Sequence, residues 1–342
     1  MINITRSISS IQTKLILLFT LASIFAIFAI AIFSIWSRLI TIESLDSALI
    51  VDAYSAANDI DDFNRDSLQA TTVAANLSDF AEHLEAIARG ANISDAQQDE
   101  TRDVLASLLE TPFSQVDVLS YALLNLNGIN KVDTILTNEG RNEQNQDYFI
   151  QATQTATPIL TTIRFEQSTG GMFYYIAAPI HSTSDSETIV GVLRAKIGLS
   201  TLQTRLANQA ENPAEDTITL IDENRLRISD TQNPDLLFRA IAPYSTTQLS
   251  ELQQSNQIPP LTQQSLDMSV PALANAIFSE DPSMLYTGTI HPTNEQLMRV
   301  AIVELESQPW HLAYAKPAST FFAPANRLVQ GMLAISLLFL TG

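Results

Sequence analysis

The chain has 342 residues, of which 37 are acidic and 18 are lysine or arginine, so its formal net charge is −19. This acidic surplus excludes the basic surface that nucleic-acid binding requires, and we expect no nucleic-acid partner. The sequence contains no cysteine, which excludes a disulfide-rich scaffold and is compatible with an exported domain that does not use disulfides.

The first predicted element is a transmembrane helix at residues 15–36. These 22 residues contain no charge, glycine or proline. At about 1.5 Å per residue they form a helix of about 33 Å, enough to cross a hydrocarbon core of roughly 30 Å. The run is too long for the apolar region of a secretory signal peptide. It ends at Trp36 and Arg38, a combination typical of a membrane interface. A buried helix of a soluble protein is the alternative.

The flanking charges predict the orientation of this helix. Residues 1–14 carry Arg6 and Lys14 and no acid, so the positive-inside rule places them in the cytoplasm. Residues 39–325 then lie outside the cytoplasm, and the chain is embedded in the cell's inner (plasma) membrane. This extracytoplasmic segment holds all 37 acidic residues, which favours its solubility.

A second apolar run, residues 328–342, follows Arg327 at the other end of the sequence. Its 15 residues span about 22 Å as a helix, which is shorter than a membrane crossing. We expect it to be the start of a second transmembrane helix that the sequence interrupts. An amphipathic C-terminal tail is the alternative.

The first part of the extracytoplasmic segment, residues 39–110, is predicted to be a long stalk helix followed by a second helix. No glycine or proline occurs from 37 to 89, and apolar residues recur every three or four positions. Ser94 is the expected N-cap of the second helix, which stops before Pro112. The predicted apolar stripe comprises Leu45, Leu49, Ala53, Ala56, Ile60 and Phe63. The acids assigned to the solvated side are Asp52, Asp59, Asp61 and Asp62.

The next segment alternates strands with short helices, which is typical of an α+β fold. A strand at 116–126 is followed by Asn127 and Gly128, a strong hairpin signal. A short helix at 147–155 precedes the remaining elements. Strands are predicted at 159–166, 172–179 and 188–197, with a turn at 168–171 and a helix at 199–209.

Residues 213–325 repeat this order of elements without a detectable repeat in sequence. Strands are predicted at 217–221 and 225–229, and the polar stretch 244–266 is predicted to form short helices and loops. The three closing strands are predicted at 284–290, 296–304 and 310–314.

No catalytic motif is present. The ten glycines form no dinucleotide-binding, nucleophile-elbow or P-loop pattern. The four histidines, His83, His181, His291 and His311, are scattered and are predicted to lie at the surface or at strand edges. We therefore expect no enzyme activity, no metal and no cofactor in this chain.

Several stretches resemble double Cache sensor domains, which are PAS-like extracytoplasmic domains of bacterial chemoreceptors, sensor histidine kinases and cyclases. Residues 146–152 (QDYFIQA), 175–180 (YIAAPI) and 191–202 (GVLRAKIGLSTL) resemble the membrane-distal module. Residues 217–224 resemble the opening strand and turn of the second module, and residues 310–317 resemble its closing strand. The resemblance covers residues 39–325 in the order of the family.

The resemblance implies a long N-terminal helix with two PAS-like antiparallel-sheet modules, flanked by transmembrane helices. The membrane-distal Cache module is expected at 111–212 and the membrane-proximal Cache module at 213–325. It also implies a small-molecule ligand and a homodimer formed through the long helix.

The same resemblance implies candidate ligand-binding residues. In amino-acid-binding members, an arginine before two aromatic residues grips the ligand carboxylate, and an aspartate neutralises its ammonium group. Here Gln146 stands at the position of the arginine, Tyr148 and Phe149 at the aromatic positions, and Lys196 at the position of the aspartate. A cation in place of that acid argues against an α-amino acid and favours a small carboxylate without a free amino group.

Two further residues, Arg164 and Tyr175, complete the candidate site. The two site tyrosines are equally compatible with a role in the core. The alternative for Lys196 is an ion pair with Asp147 or Glu166, or exposure to solvent, because a buried cation without a partner is costly.

Two functions therefore stay open. The first is a small-molecule sensor coupled to a cytoplasmic histidine kinase, nucleotide cyclase or chemoreceptor signalling domain that follows the second span. The second is a membrane-tethered binding or interaction module without a signalling output.

Overall fold

The structure is a computed structural model, and it describes residues 2–110, 118–167 and 169–341. Several sequence-based predictions lie outside the described residues: the stop before Pro112, the first residues of the strand predicted from 116, Ser168 of the predicted turn, and the terminal residues Met1 and Gly342.

Helix α1 spans Ile2–Ala75 and contains the predicted transmembrane segment. Among the described residues, one helix is long and apolar enough to cross a membrane. The candidate span lies within Leu17–Ala75. Its most apolar 18-residue window has a mean hydropathy of 2.6 and is 6% buried. An apolar helix this exposed would be unstable in water, so its composition is consistent with the predicted span.

The stalk helix differs from the sequence prediction at one point. The stretch 37–89, which has no glycine or proline, predicted one continuous helix, whereas α1 ends at Ala75 and a separate helix α2 covers Ser78–Ala88. Leu77 between them has extended backbone angles. The break reorients α2 so that Phe80 and Leu84 are buried in the main core, which compensates for the lost helical hydrogen bonds.

Helix α3, Asp95–Leu109, begins as predicted. The Ser94 side chain accepts a hydrogen bond from the Gln97 N–H, and the Gln97 side-chain oxygen accepts one from the Ser94 N–H, which forms a capping box. His83 of α2 was predicted to lie at the surface or at a strand edge, but it is buried between α2 and α3. Its ring forms a hydrogen bond of 3.0 Å with Thr101 of α3.

The module expected at 111–212, here called the distal module, is a six-stranded antiparallel sheet with two helices. Its elements are β1 (Val118–Asn125), β2 (Asn130–Asp133), α4 (Asp147–Thr155), β3 (Ile159–Leu160), β4 (Arg164–Glu166), β5 (Gly171–His181), β6 (Ile189–Gly198) and α5 (Ser200–Gln209). The strand order is β2-β1-β6-β5-β3, and β4 also pairs with β5. The predicted hairpin turn is present, and Gly128 adopts the left-handed φ of +69° that it requires.

The single strand predicted at 159–166 is divided into β3 and β4. The hydroxyl of Thr161 accepts a hydrogen bond of 2.9 Å from the Tyr175 N–H, a role that a backbone carbonyl plays in a regular ladder. This side-chain bond competes with the sheet and lets residues 161–163 leave the ladder.

The module expected at 213–325, here called the proximal module, repeats the topology of the distal one. Its elements are β7 (Thr217–Ile221), β8 (Arg227–Asp230), α6 (Thr246–Gln254), α7 (Gln263–Leu266), α8 (Pro271–Phe278), β9 (Leu285–Gly288), β10 (Met298–Glu304) and β11 (His311–Pro317). The order β8-β7-β11-β10-β9 matches the distal order strand for strand. Helix α8, which we did not predict, begins at a proline, a residue well suited to the first helical position. Two further helices follow: α9 (Ala318–Phe321) and α10 (Ala323–Thr341).

Helix α1 packs along both sheets. Of the predicted apolar stripe, Leu45 is half-buried and the other five residues are at most 2% exposed. Asp61 differs from its predicted place on the solvated side. It is 3% exposed, because its carboxylate accepts hydrogen bonds from the N–H groups of Glu306 and Ser307 at 3.0 and 2.8 Å. The part of α1 that follows the apolar segment therefore contacts both modules.

Candidate functional site

A cavity of about 260 Å³ lies on one face of the distal sheet. It is bounded by the loop before α4 and by strands β4, β5 and β6. Four of the six predicted site residues line it, namely Gln146, Arg164, Tyr175 and Lys196. The other two lie beneath it.

Strand register explains why two of these side chains meet. Tyr175 of β5 is paired directly with Lys196 of β6. Because side chains alternate between the faces of a strand, Phe173 and Arg194 lie on the same face as this pair. All four line the cavity, so aromatic rings and cations are interleaved across two adjacent strands.

Lys196 lies in the cavity and is paired with an acid. Its Nζ is 2.7 Å from Glu166 Oε1 and 4.2 Å from the centre of the Phe173 ring. Burial alone would raise the pKa of Glu166, but hydrogen bonds from Lys196 and Thr169 hold that pKa below its ordinary value. The ion pair with Glu166, one of the alternatives from the sequence, is therefore present, and the lysine still faces the cavity.

Arg164 joins three elements at the edge of the cavity. Its Nη2 donates to Asp147 of α4 at 2.5 Å, and its Nη1 donates to the carbonyl oxygen of Ser255 at 2.9 Å. Ser255 belongs to the proximal module, so this arginine links the cavity to the segment that follows α6.

Tyr148 and Phe149 lie beneath the cavity rather than along it. They are 1% and 5% exposed and belong to a core cluster with Ala177 and Val192. Tyr148 packs on Tyr175 with ring centroids 4.7 Å apart. In this structure both residues support the cavity, and they do so because the amphipathic α4 directs them onto the sheet.

A buried ionic cluster at the floor of the cavity was not predicted from the sequence. The Arg194 guanidinium donates to both carboxylate oxygens of Glu143, at 2.9 and 2.8 Å, and to Asp133 at 2.8 Å. Tyr148 also donates to Glu143. Burial opposes the charge of Arg194, but the two carboxylates hold the pKa of the guanidinium above its ordinary value. One signal was available in the sequence: Arg194 lies two residues before Lys196, and therefore on the same face.

One cation of the cavity is not paired. Among the described residues, Arg141 lines the cavity and forms no ion pair, and its side chain is exposed. The Tyr175 hydroxyl likewise has no hydrogen-bond partner in the described part of the chain. Burial raises the pKa of Tyr175, so this hydroxyl stays protonated and can donate.

A second cleft, of about 300 Å³, lies in the proximal module. It is lined mainly by neutral polar side chains, with Glu215 and His291 as its titratable groups and Ser319 and Thr320 of α9 at one edge. It lacks the cations that line the distal cavity, which makes the distal cavity the stronger candidate for an anionic ligand.

The family model described as Cache domain matches residues 41–325. Among solved structures, the sensor domain of the V. cholerae histidine kinase DctB is similar, with a TM-score of 0.57 and 18% identity over 79% of this chain and 98% of that one. The ligand-binding domain of the Campylobacter jejuni chemoreceptor Tlp3, in complex with L-norvaline, has a TM-score of 0.55 and 14% identity over 83% of this chain and 95% of that one. No curated protein sequence matches the chain. At these identities the structural likeness shows the fold.

Proposed function

This chain belongs to the Cache domain family of extracytoplasmic sensors, and on that premise we propose that it is the small-molecule-sensing region of a membrane signal-transduction receptor. The ligand binds in the distal cavity and is a small carboxylate without a free amino group. Gln146, Arg164, Tyr175 and Lys196 line its site, and Tyr148 and Phe149 support it from below.

The proposal rests on which hydrogen-bond donors and acceptors of the cavity already have partners. Both oxygens of Glu143 accept from Arg194, and the two oxygens of Glu166 accept from Lys196 and Thr169. The acids that line the cavity are therefore already neutralised. The ammonium group of an α-amino acid would need an acid that is not already neutralised. An α-amino acid therefore fits this cavity poorly.

The hydrogen-bond donors of the cavity, in contrast, outnumber the acceptors that they contact. Lys196 carries three N–H donors, of which the described contacts engage one with Glu166. Arg141 and the Tyr175 hydroxyl are further donors without a described partner. A ligand that complements this inventory brings acceptors and negative charge, as a carboxylate does.

The membrane anchors fit the same function. The positive-inside rule places residues 1–14 in the cytoplasm and residues 39–325 outside the inner (plasma) membrane. The apolar segments of α1 and α10 lie side by side, with Ser34 Oγ 2.9 Å from Met332 Sδ. We propose that α10 belongs to a second span.

Signal transmission is proposed to pass through α1 and β11. The stalk part of α1 is tied to the proximal sheet by ion pairs of Asp46 with Arg299 at 2.6 Å and of Asp52 with Lys316 at 2.9 Å. Strand β11 leads through α9 into α10. A ligand that favours one arrangement of the modules shifts the two spans relative to each other, by no more than its differential affinity allows.

The output of this movement is proposed to be a histidine kinase, a nucleotide cyclase or a chemoreceptor signalling domain, working as a homodimer through α1. The exposed side of the stalk includes Val51, Tyr54 and Val73, which are 65%, 44% and 63% exposed. Apolar side chains at these positions suit contact with a second copy of the helix.

Calorimetry of the full chain in lipid nanodiscs tests the ligand class. Acetate, pyruvate and succinate are compared with L-alanine and L-norvaline. We expect at least one acid to bind and the two amino acids to bind far more weakly. Tight binding of an ordinary α-amino acid that is unaffected by Lys196→Ala would overturn the carboxylate proposal.

The signalling role has its own test. The coding sequence beyond Gly342 is read in the gene that encodes the chain. A coiled-coil signalling segment or a catalytic domain there supports a receptor, and an immediate stop codon supports a tethered binding module.

A further inference from the structure

One wall of the distal cavity comes from the proximal module. Asn256, two residues after the end of α6, lines the cavity together with Arg164, Phe165 and Glu166 of β4. Its side chain is exposed and forms no hydrogen bond among the described residues. The amide is therefore available to a molecule in the cavity, as both donor and acceptor.

Backbone contacts hold this segment in place. The Phe165 N–H donates to the carbonyl oxygen of Asn256 at 2.7 Å, and the Arg164 guanidinium donates to the adjacent carbonyl of Ser255 at 2.9 Å. The two bonds join consecutive residues of β4 to consecutive residues of the other module. The position of Asn256 at the cavity is thus set by the main chain and does not depend on its own side chain.

The backbone angle of Asn256 explains the residue type. Its φ is +54°, in the left-handed region that asparagine and glycine tolerate better than other residues. Glycine at this position would keep the backbone, including the carbonyl that accepts from Phe165, and would remove only the amide. The contribution of the side chain to binding is therefore separable from the docking of the segment.

We propose that Asn256 is a ligand-contacting, specificity-determining residue of the distal site, so that a bound ligand bridges the two modules directly. This inference rests on the proposed function, because it assumes that the distal cavity is the binding site. The amide recognises a second polar group of the ligand, a hydroxyl, carbonyl or carboxylate oxygen. Occupancy then stabilises the contact of β4 with segment 255–256, a route to the proximal module that is separate from α1.

The test compares Asn256→Gly with wild type in the full chain in lipid nanodiscs. Calorimetry measures the binding of acetate, pyruvate, succinate, L-alanine and L-norvaline, and hydrogen exchange measures the Phe165 amide. We expect Asn256→Gly to weaken binding of the best probe roughly three- to tenfold, the loss of one neutral hydrogen bond. We also expect that probe to slow exchange of the Phe165 amide in wild type and to do so less in the variant.

The matched control is Ala156→Gly, which also introduces glycine at a φ of +54°, at the end of α4 and away from the cavity lining. It should leave binding unchanged. If an acid binds wild type and Asn256→Gly with equal affinity, and the Phe165 amide does not respond, the inference is wrong while the carboxylate proposal stands. If only the amino acids bind and Asn256→Gly weakens them, the inference stands and the carboxylate proposal fails. Absence of binding of every probe to wild type overturns both.

Discussion

Tyr174 of the distal sheet packs edge to face on Trp310, beside the first residue of β11 in the proximal sheet, with ring centroids 5.9 Å apart. Both side chains are fully buried. The Tyr174 hydroxyl donates to Asn64 Oδ1 at 3.0 Å, and Asn64 Nδ2 donates to Ser307 Oγ at 2.9 Å. One amide of α1 thus connects the distal sheet to the turn between β10 and β11.

Replacing Asn64 by alanine should destabilise both modules together. The change leaves the buried Tyr174 hydroxyl without its partner, which costs about 1–3 kcal/mol. Urea unfolding of residues 39–325 measures the free energy of unfolding. Asn58→Ala, an exposed position on the same helix, is the control and should change stability by less than about 0.5 kcal/mol. Equal effects of the two variants would show that the connection contributes nothing.

The segment 39–325, produced without the apolar ends, should be a soluble and folded α+β protein without catalytic activity. The reason is that its two sheets bury their own apolar faces and that it carries all 37 acidic residues. Circular dichroism and size-exclusion chromatography check folding and solubility. Aggregation of this segment, or an enzymatic turnover that persists through purification, would contradict the proposed boundaries.

Lys196→Ala should weaken binding of the preferred acid by about one to two decades, since a charge-assisted hydrogen bond contributes roughly 1.5–3 kcal/mol. Calorimetry on the full chain measures the change. Lys131→Ala is the matched control, because Lys131 lies on β2 outside the cavity lining.

Glu166→Gln separates the role of the lysine from that of its ion pair. It removes the acid that competes with the ligand for Lys196, so binding of the acid should be retained or become tighter. Loss of binding in this variant would mean that the ion pair itself, rather than the free donors of Lys196, forms the site.

Glu223→Gln should stabilise the proximal module increasingly as the pH rises. Burial raises the pKa of Glu223. The nearby Trp310 indole offsets this only in part, and by geometry neither oxygen of Glu223 has a hydrogen-bond partner among the described residues. A raised pKa in the folded state means that stability is full below the unfolded pKa, about 4.3, and falls as the pH rises through the folded value.

Thermal unfolding at pH 5 and pH 8 measures this effect. The advantage of Glu223→Gln should be larger at pH 8 than at pH 5, because the glutamine amide does not ionise. The exposed Glu187→Gln is the control and should show no such trend. A constant advantage at both pH values would exclude ionisation of Glu223 as the cause.

The topology can be checked with reporter fusions. A reporter fused after Gln209 should be located outside the cytoplasm and be active only there. A reporter fused at residue 10 should be located in the cytoplasm and be active only there. The basis is the uncharged span at 15–36 with cations and no acid before it. The opposite pattern would overturn the receptor proposal.

Local patterns predicted much of the fold because their causes are local. The capping box at Ser94, the left-handed glycine at Gly128 and the apolar stripe of α1 all follow from interactions between residues close in sequence. The predictions failed where a distant contact outweighed them. The break after Ala75 and the burial of Asp61 each depend on a core or a turn far along the chain.

The site shows the same division. The sequence by itself determined that Tyr175 and Lys196 lie on successive strands, and the resemblance to double Cache domains implied that Lys196 stands at the position of an acid. Only the tertiary structure decided which charges meet, because Arg194 lies 51 residues from Glu143 and 61 from Asp133 in the chain. The central part of β6 is buried on both faces, so alternation could not show where its cations point. The placement of Asn256 at the cavity depends on the docking of two modules, which no pattern within either module encodes.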